Sequence, residues 1–348
     1  MDQATKELYI SRIITGFFRC KIDGKVFLLK QPDRHTRHIS QEIYIDELRE
    51  AELQGLYNEE ELKNFLYQNN IWSDKKESDL KQLLKDIEEY KVKLFQSYFK
   101  SEEKKTLKKL LSIAKNKFNE MYLEKSSYNH ISAIGVATMA KIRYLVGKSL
   151  TYENGDRVWE NDDFWKSGDP LLENATNVHT ENKISDSDFR EIARTEPWRT
   201  IWACRKCERE LFGVPAVDLT EEQKTLVIWS SMYDSIYEHH QSPSQDVIND
   251  DDMTDGWLIL QNRQRDKDKR KLEADDLLSN EKIKNSGEIF LIAETKEDAE
   301  KVNDLNDQSA KMIKKQRLDY LNKHGEVDEA NMPDTKMDIQ MQANRARG

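Results

Sequence analysis

The chain has 348 residues, 37% hydrophobic and 34% charged, which is length enough for two compact units. Its longest weakly polar stretch, Ile131 to Ala140, is about half of the ~20 apolar residues that a bilayer crossing needs, and the first residues lack a signal peptide's charged start and apolar run, so no membrane role is expected and the chain should stay where it is made. Three cysteines cannot build a disulfide framework and suit a reducing cytosol, while the net charge of −10 lies in the middle: residues 1–150 carry +5, 151–256 carry −14 and 257–348 carry −1.

Twelve glycines and six prolines are few, which favours helices. The first clear pattern is nevertheless a β-hairpin: apolar and polar residues alternate from Thr15 to Ile22, turn at Asp23-Gly24 and resume from Lys25 to Leu29. A lone hairpin is marginal in water, so it must dock on a helix or a partner. From Ser40 the spacing turns helical with Gly55 as its stop, and Asn58 with Glu61 offers a capping box for the next helix. Leu80, Leu83, Leu84, Ile87, Leu94, Phe95 and Tyr98 mark one long helix; Ser101 reads as the N-cap of another through Leu107, Leu110, Leu111, Ala114, Phe118, Met121 and Tyr122. These two are expected to form an antiparallel hairpin, with a third helix, Tyr128 to Val146, laying its small residues against it.

After Leu150 the periodicity weakens, and glycine, proline, Asn and Asp suggest an irregular linker. Helices resume at Ser185, at Thr195 with Pro197 in the first turn, and at Thr220, where Gln223 completes a second capping box. A charged helix from Asp252 to about Ser279, a short strand over 288–293, two further helices and a polar tail follow. The expected fold is therefore mainly α: helical hairpins or a bundle, with an N-terminal β-hairpin and a short C-terminal strand. The expected domains are 1–150 with both hairpins, a linker-like 151–184, an acidic tryptophan-rich helical 185–325 and a flexible tail 326–348.

Motifs that would carry chemistry fail on spacing. Gly147-Lys148-Ser149 looks like the end of a phosphate loop, but it closes a helix where the motif must open one. Cys204 and Cys207 have zinc-ligand spacing without a further pair, and Asp250-Asp251-Asp252 with Asp255-Gly256 does not fit the calcium-loop register. Nine lysines against two glutamates between Lys91 and Lys117 are spread around their helices, so nucleic acid is not the expected partner. No catalytic, cofactor or metal residues are expected, and no enzymatic activity. Six of the seven tryptophans lie in or beside the acidic middle. One reading is a carboxylate surface over an aromatic core; the other is a protein-binding surface anchored by Trp198, Trp202, Trp229, Tyr233 and Trp257 wherever these are exposed.

Two groups of segments, read together, resemble a protein of the virion gene cluster of tailed bacteriophages. The first is Gly55-Leu56-Tyr57-Asn58 through Ile71-Trp72, the lysine-rich hairpin and Tyr128-Asn129-His130-Ile131; the second is Pro197-Trp198-Arg199-Thr200-Ile201-Trp202, Asp218 to Gln223, Trp229 to Asp234 and Asp250 to Trp257. The resemblance implies a non-enzymatic role in phage morphogenesis: a tail assembly chaperone binding a tail protein, or a structural part of the tail or baseplate. A nucleic-acid-binding accessory is a further alternative. It also implies the host cytoplasm as location during assembly, with the virion as the alternative destination.

Overall fold

The computed structural model describes residues 1–206, 211–278 and 315. The expected strand at 288–293, the helices after it and the tail 326–348 lie outside the described residues. The chain divides into two units, Met1–Ile259 and Leu260–Gly348; everything below concerns the first.

Helix α1 (Gln3–Thr15) precedes the β-hairpin and had no counterpart in the sequence pattern, since Ile10, Arg12 and Ile13 are its only buried residues. Asp2 caps it by accepting from Thr5 N, and Gly16 at φ 72° ends it in the left-handed region. Strands β1 (Phe17–Ile22) and β2 (Lys25–Lys30) pair antiparallel as expected, around Asp23 and Gly24, both at positive φ, the two-residue turn whose twist suits a hairpin.

Helices α2 (Arg34–Leu53) and α3 (Glu59–Gln68) follow, the second with the Asn58–Glu61 capping box in place. Next come α4 (Asp74–Gln96) and α5 (Ser101–Ser126), packed as the expected antiparallel pair through Leu94, Leu107 and Leu111. Ser101 is not the N-cap of α5; Lys100 holds that position without a side-chain cap bond, and Glu102 and Glu103 bring their charge to the first turn.

Helix α6 (Ala133–Ser149) does not take the hairpin as its main neighbour. Its alanines, Ala133, Ala137 and Ala140, are buried, and it lies along α2, where Ser40 and Ala51 are the buried residues. Short side chains on both helices allow a close approach. Strand β3 (Leu150–Tyr152) then adds to β2 with Leu150 opposite Leu29, turning the marginal hairpin into a three-stranded sheet whose Cys20, Ile22, Phe27 and Leu29 share a core with Val146 and Ala175.

The expected linker is thus structured. Besides β3, residues 151–184 hold α7 (Pro170–Glu181), with Asp169 as N-cap and Pro170 in the first turn, and Phe164 and Trp165, buried beside Tyr144 and Leu172. Its helix was masked by a polar sequence in which Leu172 and Ala175 are the only buried residues of α7. No domain boundary falls there; the division comes after Ile259.

The acidic region supplies α8 (Asp186–Arg194), α9 (Trp198–Arg205), α10 (Glu221–Glu238), the short α11 (Gln245–Ile248) and α12 (Asp251–Leu278). Together with α1 they enclose the largest core, built on Ile13, Ile192, Trp198, Leu226, Tyr233 and Trp257. Helix α12 crosses α4 so closely that a β-carbon on Gly256 would stand 2.1 Å from Lys91 O. Gly256→Ala gains about 1 kcal/mol of helix propensity but must push two backbones apart, at about 1–3 kcal/mol for overpacking. A net loss of up to about 2 kcal/mol is expected, read as a lower urea midpoint; a raised midpoint would show that this crossing yields freely.

Candidate functional site

Four of the five aromatic residues expected to anchor a partner are buried. Trp198 and Tyr233 are fully buried, Trp202 and Trp257 nearly so, and Trp229 is half-buried under the Arg190 guanidinium, 4.1 Å above its ring. Trp198, Trp202, Tyr233 and Trp257 therefore belong to the core and are corrected as contact residues: a fully desolvated ring already packed inside has no area left to offer. The indole N–H groups of Trp198, Trp202, Trp229 and Trp159 are internally satisfied too. Trp198 donates to Ser230 Oγ at 2.8 Å, Trp202 to Asp234 Oδ2 at 2.7 Å, Trp229 to Asp186 Oδ1 at 2.8 Å and Trp159 to Asp169 Oδ2 at 2.8 Å. Asp234 also receives Arg199 and Lys206; burial pushes its carboxyl up, but the bonds from Trp202, Arg199 and Lys206 together hold it below the usual range.

The aspartate run at the start of α12 is a clamp. Asp250 accepts from Met253 N as the helix begins, and its other oxygen takes Lys108 Nζ at 2.5 Å. Asp252 takes Lys115 at 2.6 Å, and Asp255 takes Lys91 at 2.7 Å and Arg190 at 2.6 Å. Asp251 takes Arg194 and Ser187, and Arg194 also donates to Tyr233 Oη at 2.9 Å. Four carboxylates thus meet cations from α4, α5 and α8. Among the described residues no group of three His, Cys, Asp or Glu is placed to hold a metal. Cys20 is buried, Cys204 is exposed and Cys207 lies outside the described residues. Lys148, in the phosphate-loop lookalike at the end of α6, pairs with Asp162.

A cavity of about 320 Å³ opens between α1, α6, α10, the end of β2 and the α7–α8 connection. Ile142, Leu145, Val146, Ile184 and Phe189 give it apolar walls; Arg12, Lys30, Arg37, Lys183, Glu221 and Glu222 supply its charge. Arg12 forks onto Glu222 and donates to Asn182 O, and Arg37 pairs with Glu221. Burial raises the Glu222 carboxyl, with Arg12 opposing; burial first, then Arg12 and Lys183, lower the His179 imidazole. Nothing in the sequence joined these groups: Arg12 and Glu222 are 210 residues apart.

The outward apolar residues were also missed as a set. Phe99, in the connection between α4 and α5, is 93% exposed, and on α5 Leu110, Ile113 and Leu123 are exposed as well. Helical spacing grouped Leu110 with the buried stripe although the stripe runs through Leu107, Leu111 and Ala114. No family model, curated protein or solved structure matches the chain.

Two outcomes follow from these charges. Asp255→Asn leaves Lys91 and the buried Arg190 short of a counter-charge, and a loss of about 2–4 kcal/mol is expected in chemical denaturation, whereas Glu103→Gln, at an exposed pair in the first turn of α5, should cost no more than about 1 kcal/mol. For His179 the folded value lies below the ordinary 6.5, so the unfolded chain binds the proton first. Its contribution is complete above that pH and is lost as pH falls through it toward the folded value. Denaturation midpoints at pH 7, 6 and 5 should fall less in His179→Gln than in the unaltered chain; parallel profiles would contradict the assignment.

Proposed function

We propose that the chain is a non-enzymatic morphogenesis protein of a tailed bacteriophage, a tail assembly chaperone that holds a tail protein through the α4–α5 hairpin. The resemblance of its segments to proteins of the virion gene cluster supplies the setting. The observation that carries the reading is the apolar side chains left outside the hairpin: Phe99 bare at its tip, packed only edge-on against Tyr98 at 4.8 Å, with Ile113 and Leu110 on the helix behind it. Exposed large apolar groups on one arm, the most exposed of them Phe99 at its tip, suit capture of another polypeptide.

The charge on the arm favours protein over nucleic acid. Lys91, Lys108 and Lys115 each end on an aspartate at the start of α12, and Lys93, Lys100 and Lys105 on a carboxylate three or four residues away, so six of the nine lysines counted along the sequence are paired in the fold. A track for phosphates would need those ammonium groups free to displace counterions.

The test pairs mass spectrometry of purified particles with a pull-down from infected cells. A chaperone is expected with phage tail proteins in the lysate and absent from particles. A fixed copy number in particles would instead favour a virion component, and absence from both would overturn the phage reading. Phe99→Asp with Ile113→Asp should lower capture of the tail protein at least tenfold, while each exposed change shifts stability by no more than about 0.5 kcal/mol. Undiminished capture would remove the hairpin as the contact surface.

A further inference from the structure

The cavity beside α6 contains more polar capacity than its own chain uses. Both guanidinium groups are committed, Arg12 to Glu222 and Asn182 O, Arg37 to Glu221 and Leu219 O, and the Thr225 hydroxyl donates to Glu221 O. What remains has no ion pair or side-chain hydrogen bond among the described residues: the Lys30 and Lys183 ammonium groups, the Gln31 amide, the His179 ring and the Ser149 hydroxyl. Ser149 is decisive. It is 6% exposed and its Oγ is buried without a partner, a state that costs free energy unless something polar arrives.

We propose that this cavity binds a small carboxylate with an apolar body, the carboxylate held by Lys30, Lys183 and the Ser149 hydroxyl and the body lying on Ile142, Leu145 and Phe189. Three features select that class. The apolar walls demand an apolar body, and about 320 Å³, against the about 150 Å³ that holds a benzene, admits roughly ten to fifteen non-hydrogen atoms. Each arginine is neutralised by its own glutamate, so the two lysines are the uncompensated charges and call for an anion. A phosphate is disfavoured: α6 presents its electronegative C-terminal end, with Ser149 as its last residue, and that end opposes a doubly charged anion more than a singly charged carboxylate.

The same chemistry can come from a free organic acid or from the last residue of a polypeptide, and the site stands independently of the hairpin surface. The experiment is isothermal titration of the full chain with octanoate, octylamine and octyl phosphate, and with an acetylated tripeptide ending in leucine as its free acid and as its amide. One octanoate per chain with a Kd on the order of 0.1–1 mM is expected, with octylamine silent and octyl phosphate weaker. Lys30→Ala with Lys183→Ala, both at exposed side chains, should weaken binding at least tenfold, and Ser149→Ala several-fold. Leu145→Trp, which fills the cavity, should abolish it; if that variant does not fold, the lysine and serine variants still decide. Binding of the free-acid tripeptide but not its amide would assign the source to a chain terminus, and binding of octanoate alone would assign it to a free acid. No saturable binding of either carboxylate, or binding indifferent to the lysine and serine changes, would overturn the proposal.

Discussion

Four carboxylates in six residues at the start of α12, facing five cations from α4, α5 and α8, are the constraint on which the rest of the first unit depends. Acids at a helix N-terminus are favoured by the dipole whatever surrounds them. Here they also fix which turn of the hairpin meets which turn of α12, because Lys108, Lys115 and Lys91 must each reach a different aspartate. Apolar packing alone would tolerate a slide along the helix. Replacing such pairs by hydrophobic residues can be neutral or stabilising, so their contribution is better read as alignment than as net stability. Gly256 allows the backbones to approach until those side chains reach.

The same pairing explains why tryptophan and carboxylate crowd the same third of the sequence. A buried indole brings a large apolar area and one N–H that must find an acceptor. Asp169, Asp186 and Asp234 are those acceptors for Trp159, Trp229 and Trp202. The coincidence that suggested a sticky acidic surface is largely the internal arrangement of an aromatic core, and part of the local charge of −14 is spent inside the fold. Arg190, lying between the Trp229 ring and Asp255, belongs to both arrangements at once.

Local signals in the sequence were legible where a few neighbouring residues decide the structure. The Asp23-Gly24 turn, the Asn58–Glu61 and Thr220–Gln223 boxes and the α4–α5 pairing all lie where spacing puts them, although Leu84 and Leu110 face outward. What could not be read is what depends on distance along the chain. Strand β3 exists because Leu150 finds Leu29, and α1 because Arg12 reaches Glu222 and Ile13 enters the core across the molecule. Without those partners, a three-residue strand and a weakly amphipathic helix leave almost no periodic trace. The cavity is harder still, since its polar groups come from five separate segments, and being unpartnered is a property of the fold rather than of any motif.

Internal pairing is thus what decides which groups remain to act on something else. A lysine that ends on an aspartate and a tryptophan that donates to one are unavailable, however prominent they are in the composition. With such groups set aside, two kinds of unspent chemistry stand out among the described residues. One is apolar and outward, at Phe99 and Ile113, where water touches carbon that the core had no room for. The other is polar and inward, at Ser149, where a hydroxyl is sheltered from water with nothing to replace it. Both carry free energy that a partner can release, the first by burying area and the second by completing a hydrogen bond. The first suits a large surface, and the second a ligand small enough to enter.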